Sequence, residues 1–197
     1  MKFNMGCGFN HLPGYVNVDN SQSCQPDQLW NLDTTPWPWP DNCAEEMIFI
    51  HSLEHMGAES ATFLNIMQEI YRIARNGCTI QIHVPHPRHD NFLDDPTHVR
   101  PISPELCALF DRRHNDDFAK RKLSNTRFAH MLKIDLQVSG FSRVIDDALR
   151  DDYFSGKIPE AEILRMSHLY NNVISTYKIT LTAMKPYGQT GDEVTAG

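Results

Sequence analysis

Phe3-Asn4-Met5-Gly6-Cys7-Gly8-Phe9-Asn10, followed by Gly14-Tyr15-Val16-Asn17-Val18-Asp19, is the stretch that decides the fold. Each half is a short apolar run closed by a turn or a carboxylate: Lys2 to Met5 runs into Gly6-Cys7-Gly8, and Tyr15 to Val18 ends at Asp19. The pattern repeats at Gln28 to Leu32, ending at Asp33, and at Met47 to Ile50, ending at His51. Such runs, followed by one clear helix, indicate a parallel sheet flanked by helices. In an open parallel sheet the ligand sits beyond the carboxyl ends of the strands, so these four endings outline one rim.

From Ser60 the apolar residues Phe63, Ile66, Met67, Ile70, Ile73 and Ala74 recur at the spacing of one helical face. Ser60 reads as the cap, Asn76-Gly77 as the left-handed stop, and Cys78 to Val84 as the next strand. Met47 to Val84 is thereby a strand-helix-strand unit with a right-handed crossover. Pro85 to Pro104 is too broken by proline for regular structure, and residues from about 85 to 130 read as a substrate-side insertion. Further on, a helix is expected from Pro104 to about Arg113, a weak strand over Ile134 to Val138 and a helix over Pro159 to Tyr170. Val173 to Met184 alternates like a strand, read as antiparallel. The expected class is α/β: a Rossmann-like, mostly parallel sheet with an antiparallel last strand and helices on both faces. Residues 1–187 read as one domain and 188–197 as a disordered tail.

The chain has 197 residues, 41% hydrophobic and 22% charged, enough for one core and unlike a disordered, collagenous or rod-like chain. A net charge of −7 disfavours coating nucleic acid or anionic membrane. No apolar run approaches the roughly 20 residues of a membrane span. The N-terminus lacks a signal-peptide core, so the expected location is the cytoplasm. Five cysteines without any C-x-x-C pair indicate reduced thiols rather than disulfides or structural zinc.

Gly6 and Gly8 let backbone approach a ligand, but His11 stands where a third dinucleotide-binding glycine belongs. A ligand-free tight turn remains the alternative at this point. Asp19, ending the second strand, suits vicinal ribose hydroxyls, or is a plain strand-end turn residue. Trp37 and Trp39, set between prolines, read as core packing.

Gly6 to Asn10, Pro13 to Asp19, Leu32-Asp33, Trp37 to Asn42, Ile50-His51-Ser52-Leu53-Glu54-His55, Glu69 to Ile73 and Asn76-Gly77 together resemble class I S-adenosylmethionine-dependent methyltransferases. The resemblance is to the small methyltransferase-domain group with His-x-Leu-Glu-His after the fourth strand, and covers roughly Met1 to Pro85. It implies S-adenosylmethionine as cofactor. Gly6, Cys7 and Gly8 would pass its methionine moiety, Asp19 would hold the ribose, Asp33 with Thr34 would face the adenine amino group, and Leu53 would pack on adenine. His51 would lie near the sulfonium. Asn4 departs from the pattern, since many members carry an acid there, and the N-terminal covering helices are missing.

Ten histidines raise the question of metal. His51 and His55, with Glu54 between them, share a face only if helical, whereas Met47 to Ile50 reads as strand, so no metal ligands are assigned. The His83 to His98 loop leaves the fifth strand beside the rim. His86, His89 and His98, with His51, are the candidate catalytic bases. Arg88, Asp90 and Arg100 are candidate substrate contacts, Asp94 and Asp95 lie among them, and the alternatives are a self-satisfied loop or a metal site. The basic residues Arg112 to Arg127 read as a solvated face, with an anionic acceptor as the alternative.

The expected function is methyl transfer to a small-molecule acceptor, with room for a homodimer and no membrane partner. Alternatives are intramolecular displacement or aminocarboxypropyl transfer on the same cofactor, a metal-dependent protein centred on His83 to His98, or a non-catalytic partner subunit.

Overall fold

The computed structural model describes residues 1–188, so the expected tail, apart from Gly188, lies outside the described residues. Seven strands form one sheet: β1 (Lys2–Met5), β2 (Val16–Asp19), β3 (Gln28–Leu29), β4 (Ala44–Ile50), β5 (Ala74–Pro85), β6 (Leu136–Ile145) and β7 (Ile174–Ala183). Their order is β3-β2-β1-β4-β5-β7-β6. The first five pair in parallel, and β7 runs antiparallel between β5 and β6. The expected class, with its antiparallel last strand, is the observed one.

Because the order reverses between β1 and β4, right-handed crossovers place the β1–β2 and β4–β5 connections on opposite faces. Helix α1 (Ser60–Ile73) makes the β4–β5 connection and buries Phe63, Ile66, Met67 and Ile70. These pack on Phe3, Met5, Met47, Phe49, Ile80 and Ile82, each wholly buried. The β1–β2 and β2–β3 connections carry no α-helix. Coverage of the two faces is accordingly unequal. The strand positions that alternate with the core, such as Lys2, Glu46, Gln81 and Lys178, are polar and at least partly exposed. Glu46 accepts from Lys2 at 2.9 Å and from Gln81 at 2.9 Å across three strands.

Several boundaries differ from the periodicity. Asn76-Gly77 does not stop α1: the helix ends at Ile73, and the pair lies inside β5. There the ladder with β4 shifts register between Ala44–Ala74 and Glu46–Thr79. Between β5 and β6 lie α2 (Asp90–Leu93), α3 (Pro104–Ala108), α4 (Arg112–Lys120) and α5 (Phe128–Leu132). The single helix expected from Pro104 to Arg113 is two, because buried Asp111 accepts from Arg113 N and begins a new helix. Arg113 and Arg121 pair with Asp111 and Asp117, which is the solvated-face reading of this segment. Helices α6 (Asp147–Phe154) and α7 (Glu160–Leu169) join β6 to β7 over a smaller cluster of Ile163, Val173 and Ile174. Among the described residues no helix is long and apolar enough to cross a membrane.

Candidate active site

The site begins at the glycine turn. Gly6 and Gly8 adopt positive φ (69° and 51°), and the N–H groups of Gly6 and Cys7 both donate to Val18 O at 2.9 Å. Gly8 N donates to Asp19 Oδ2 at 2.8 Å, and Ser21 N to Asp19 Oδ1 at 2.8 Å. The carboxylate is held by one backbone donor on each oxygen, with lone pairs left for a ligand's hydroxyls. Buried Asn4 donates to Asn10 O at 2.8 Å and to Asn17 Oδ1 at 2.9 Å. It ties the turn to β2 from behind and takes no place in the cavity.

The opposite wall comes from the segment after β3. Trp30 N donates to Asp19 O at 2.8 Å, and Asp33 Oδ1 accepts from Gly57 N at 3.0 Å, joining this segment to the turn that follows β4. Buried Trp37 and Trp39 anchor it below, Trp39 packed on Phe3 and Trp37 edge-on to Trp39. The remaining wall is His51, Ser52, His55 and Met56. His51 ends β4 with φ of 49°, a left-handed conformation that costs a branched or ordinary residue about 1 kcal/mol and was invisible in the periodicity. Its ring is half exposed, and Ser52 Oγ donates to Met5 O at 2.7 Å, closing the floor.

A cavity of about 280 Å³ results, lined by Gly6, Gly8, Asp19, Asp33 and His51 among the expected residues. Sequence reasoning missed Asn20, Trp30, Asn31, Ser52, His55 and Met56 as lining; adjacency to the strand ends was the only signal. Cys7 and Leu53 do not line the cavity, and exposed Thr34 lines a smaller neighbouring pocket with Asn20, Trp30 and Asn31. Cys7 and Leu53 are buried, and burial, reinforced by Asp19, pushes the Cys7 thiol up to about 11. A larger groove of about 570 Å³ beside Arg72 and Lys185 lies away from the strand ends.

The histidine-rich loop is divided. His86, expected as a base, is buried; its Nδ1 accepts from Arg88 N at 3.0 Å and its ring packs on Tyr177. Buried His89 accepts from Asn91 N at the start of α2 and meets Asp146 Oδ2 at 2.9 Å. Arg88 donates to His168 O, and Asp90 accepts from Asn172. Arg100 donates to Gly57 O and lies over Phe63. None of these five lines the cavity: each is used to fasten a proline-broken backbone that has no ladder of its own. His86 and His89, expected as bases, and Arg88, Asp90 and Arg100, expected as substrate contacts, thus lie outside this cavity with polar groups engaged within the loop and its neighbours. His98 sits apart, stacked on Phe92 and 4.5 Å in ring centroid from His55.

No protein-family model and no curated protein matches the chain. Solved structures do. An S-adenosylmethionine-dependent methyltransferase from Archaeoglobus fulgidus superposes with a TM-score of 0.58 at 15% identity, over 92% of this chain and 85% of that one. This is the class I methyltransferase fold. A 16S rRNA (adenine(1408)-N(1))-methyltransferase from Catenulisporales acidiphilia shares it with a TM-score of 0.50 at 14% identity, over 96% and 88% of the two chains. The cyclase SpnF does so equally, with a TM-score of 0.50 at 14% identity, over 95% and 75%. A methyltransferase fold at this distance is a scaffold on which the site, not the fold, determines the chemistry.

The two glycines separate structure from function. A Cβ at Gly6 would stand 2.5 Å from Ser52 Cβ, whereas one at Gly8 would meet nothing within 4 Å. Gly6→Ala is expected to cost about 2–4 kcal/mol from overpacking and left-handed strain. Gly8→Ala should cost only about 1–2 kcal/mol of strain while placing a methyl group at the cavity rim. Urea denaturation of both variants checks the order; equal losses would contradict it.

His86 also predicts a pH effect. Burial, then the Arg88 charge, lowers its pKa to about 4, so the folded protein keeps it neutral while the unfolded chain binds a proton near pH 6.5. Stability is fully present above about pH 6.5 and falls between there and about pH 4. At pH 5 the loss relative to pH 7.5 is about 2 kcal/mol from this residue. His86→Asn, whose amide oxygen can still accept from Arg88 N, should flatten that acid limb in urea melts.

Proposed function

We propose that the protein is an S-adenosylmethionine-dependent methyltransferase acting on a small-molecule acceptor in the cytoplasm. The observation that carries this reading is the Gly8 N–Asp19 bond: it joins a glycine turn open to a ligand with a carboxylate at the end of β2, in one cavity. The residues fit the cofactor. Gly8 offers a surface that a Cβ would obstruct, Asp19 retains lone pairs for ribose hydroxyls, and Asp33 presents a carboxylate across the cavity, suited to the adenine amino group. Gly6 sets the turn, buried Cys7 and Leu53 support these groups from within, and Thr34 stands beside Trp30 and Asn31 at the adenine end. When bound, S-adenosylmethionine supplies a methyl group on a sulfonium, open to in-line displacement.

The chain's own residues would place the acceptor and take its proton. His51 lines the cavity, while His86 and His89 are hydrogen-bonded elsewhere, so His51 is the base in this reading. The net charge of −7 and the paired arginines of α4 favour a small acceptor over nucleic acid. Incubation with labelled S-adenosylmethionine and a panel of small hydroxyl and amine acceptors tests the reading. S-adenosylhomocysteine formed only with an acceptor supports it; methylthioadenosine contradicts it, indicating intramolecular displacement when formed without an acceptor and aminocarboxypropyl transfer when formed only with one.

A further inference from the structure

We infer that Glu54, His55 and His98 form a binding site for one divalent transition-metal ion of the zinc type at the wall of the cavity. One carboxylate oxygen and one ring nitrogen from each histidine lie within 4.8 Å of one another. Glu54 is 1% exposed, yet among the described residues neither of its carboxylate oxygens has a hydrogen-bond partner. Its nearest basic neighbour is His51, whose Nδ1 stands 3.6 Å from Oε1, too far for a hydrogen bond. A carboxylate stripped of water and left without a donor is costly, and such groups are ordinarily paired or bound to a metal. Nothing comparable holds for the other buried acids among the described residues: Glu69, Asp111 and Asp135 all accept hydrogen bonds.

The histidines are set as ligands require. His98 Nδ1 lies 2.9 Å from Phe92 O, which can only accept, so Nδ1 carries the proton and Nε2 keeps its lone pair. His55 Nδ1 lies 2.9 Å from Thr97 Oγ1, and that hydroxyl donates its proton to Asp95 Oδ1 at 2.6 Å. Thr97 therefore accepts from His55, and the same tautomer follows. Each ring has its Nδ1 fastened to a supporting acceptor and its Nε2 without a hydrogen bond, His98 Nε2 standing 3.9 Å from Asp95 Oδ2, the arrangement that orients imidazole ligands around a metal. Two imidazoles and one carboxylate match zinc and leave a fourth position for water or substrate.

The local fold explains why the sequence hid this set. The segment Leu53–His55 is a short 3-10 turn, so His51 and His55 do not form the helical pair that the four-residue spacing suggests. His98 reaches His55 instead because Val99 N and Arg100 N donate to Glu54 O at 2.9 and 3.3 Å, pinning the far end of the loop to this turn. Ligands about 2.1 Å from a tetrahedral centre stand roughly 3.4 Å apart, so donors that lie within 4.8 Å of one another close by at most about 1.4 Å on binding. Exposed His55 at the end of its turn is the side chain placed to move. A role for the ion toward an acceptor oxygen, lowering the pKa of a bound hydroxyl, rests on the proposed methyl transfer; ion binding itself does not.

The test uses the full chain, stripped by chelator and free of S-adenosylmethionine, so that failure of the cofactor reading leaves it intact. Titration with zinc sulfate alone should give one ion per chain and raise the melting temperature, and cobalt(II) alone should give the visible absorption of a tetrahedral site. Glu54→Gln, His55→Ala and His98→Ala should each weaken zinc binding by at least about 100-fold, and Thr97→Val by about 10-fold. His55 is exposed, so His55→Ala serves if Glu54→Gln does not fold. Absence of stoichiometric zinc, or zinc binding that survives unchanged in His55→Ala and His98→Ala, overturns the inference.

Discussion

Asp19→Ala is expected to weaken binding of S-adenosylhomocysteine at least about 100-fold while the chain remains folded. A carboxylate that accepts two hydroxyls makes two charge-assisted hydrogen bonds, each contributing about 1.5–3 kcal/mol, and 3 kcal/mol already corresponds to a little over 100-fold. The fold should tolerate the change because Asp19 sits at a partly exposed rim, where water can reach the N–H groups of Gly8 and Ser21. Trp30 lines the same cavity, so its fluorescence reports the titration. An unchanged dissociation constant in Asp19→Ala would remove the ribose role from this residue.

The second large effect lies beneath the site. Glu69 on α1 accepts from Trp37 N at 2.6 Å and from Arg72 through both oxygens at 2.7 Å. Arg72 in turn donates to Trp37 O, Trp39 O and Asp41. Burial opposes the charge on Glu69, but these donors outweigh it and hold the carboxylate below its usual range. Glu69→Ala leaves the Trp37 N–H unpaired and the guanidinium without its main partner, so a loss of about 3–5 kcal/mol is expected in urea unfolding. The same loop forms the Trp30 to Asp33 wall, so ligand affinity should fall with it. Glu69→Gln, which keeps an acceptor, should lose less; a loss under about 1 kcal/mol in Glu69→Ala would show that the tryptophan cluster holds the loop without this network.

What was legible in the sequence follows from where local pattern and tertiary structure agree. Gly6, Asp19 and His51, just past or at the ends of β1, β2 and β4, line one cavity because strand ends in a parallel sheet converge regardless of side-chain detail, whereas β3 stops at Leu29 and Asp33 reaches the cavity from the loop beyond it. Trp37 and Trp39 were legible as core, favoured over an indole face offered to substrate, because large aromatic surface is costly to leave in water, and both are buried. The histidine loop was not legible. His86, His89 and His98 share a composition, but their work depends on Tyr177, Asp146 and Phe92, partners that only the folded chain supplies. Asn76-Gly77 misled for a related reason: a left-handed pair can stop a helix or sit within a shifted strand register, and local sequence does not distinguish them.

The central claim is that the cavity between Asp19 and Asp33 binds S-adenosylmethionine. Calorimetric titration of the full chain with S-adenosylhomocysteine tests it most directly. A saturating one-to-one isotherm that is abolished in Asp19→Ala is the predicted result; no heat of binding in the wild-type protein, or an isotherm identical in the two proteins, would contradict it.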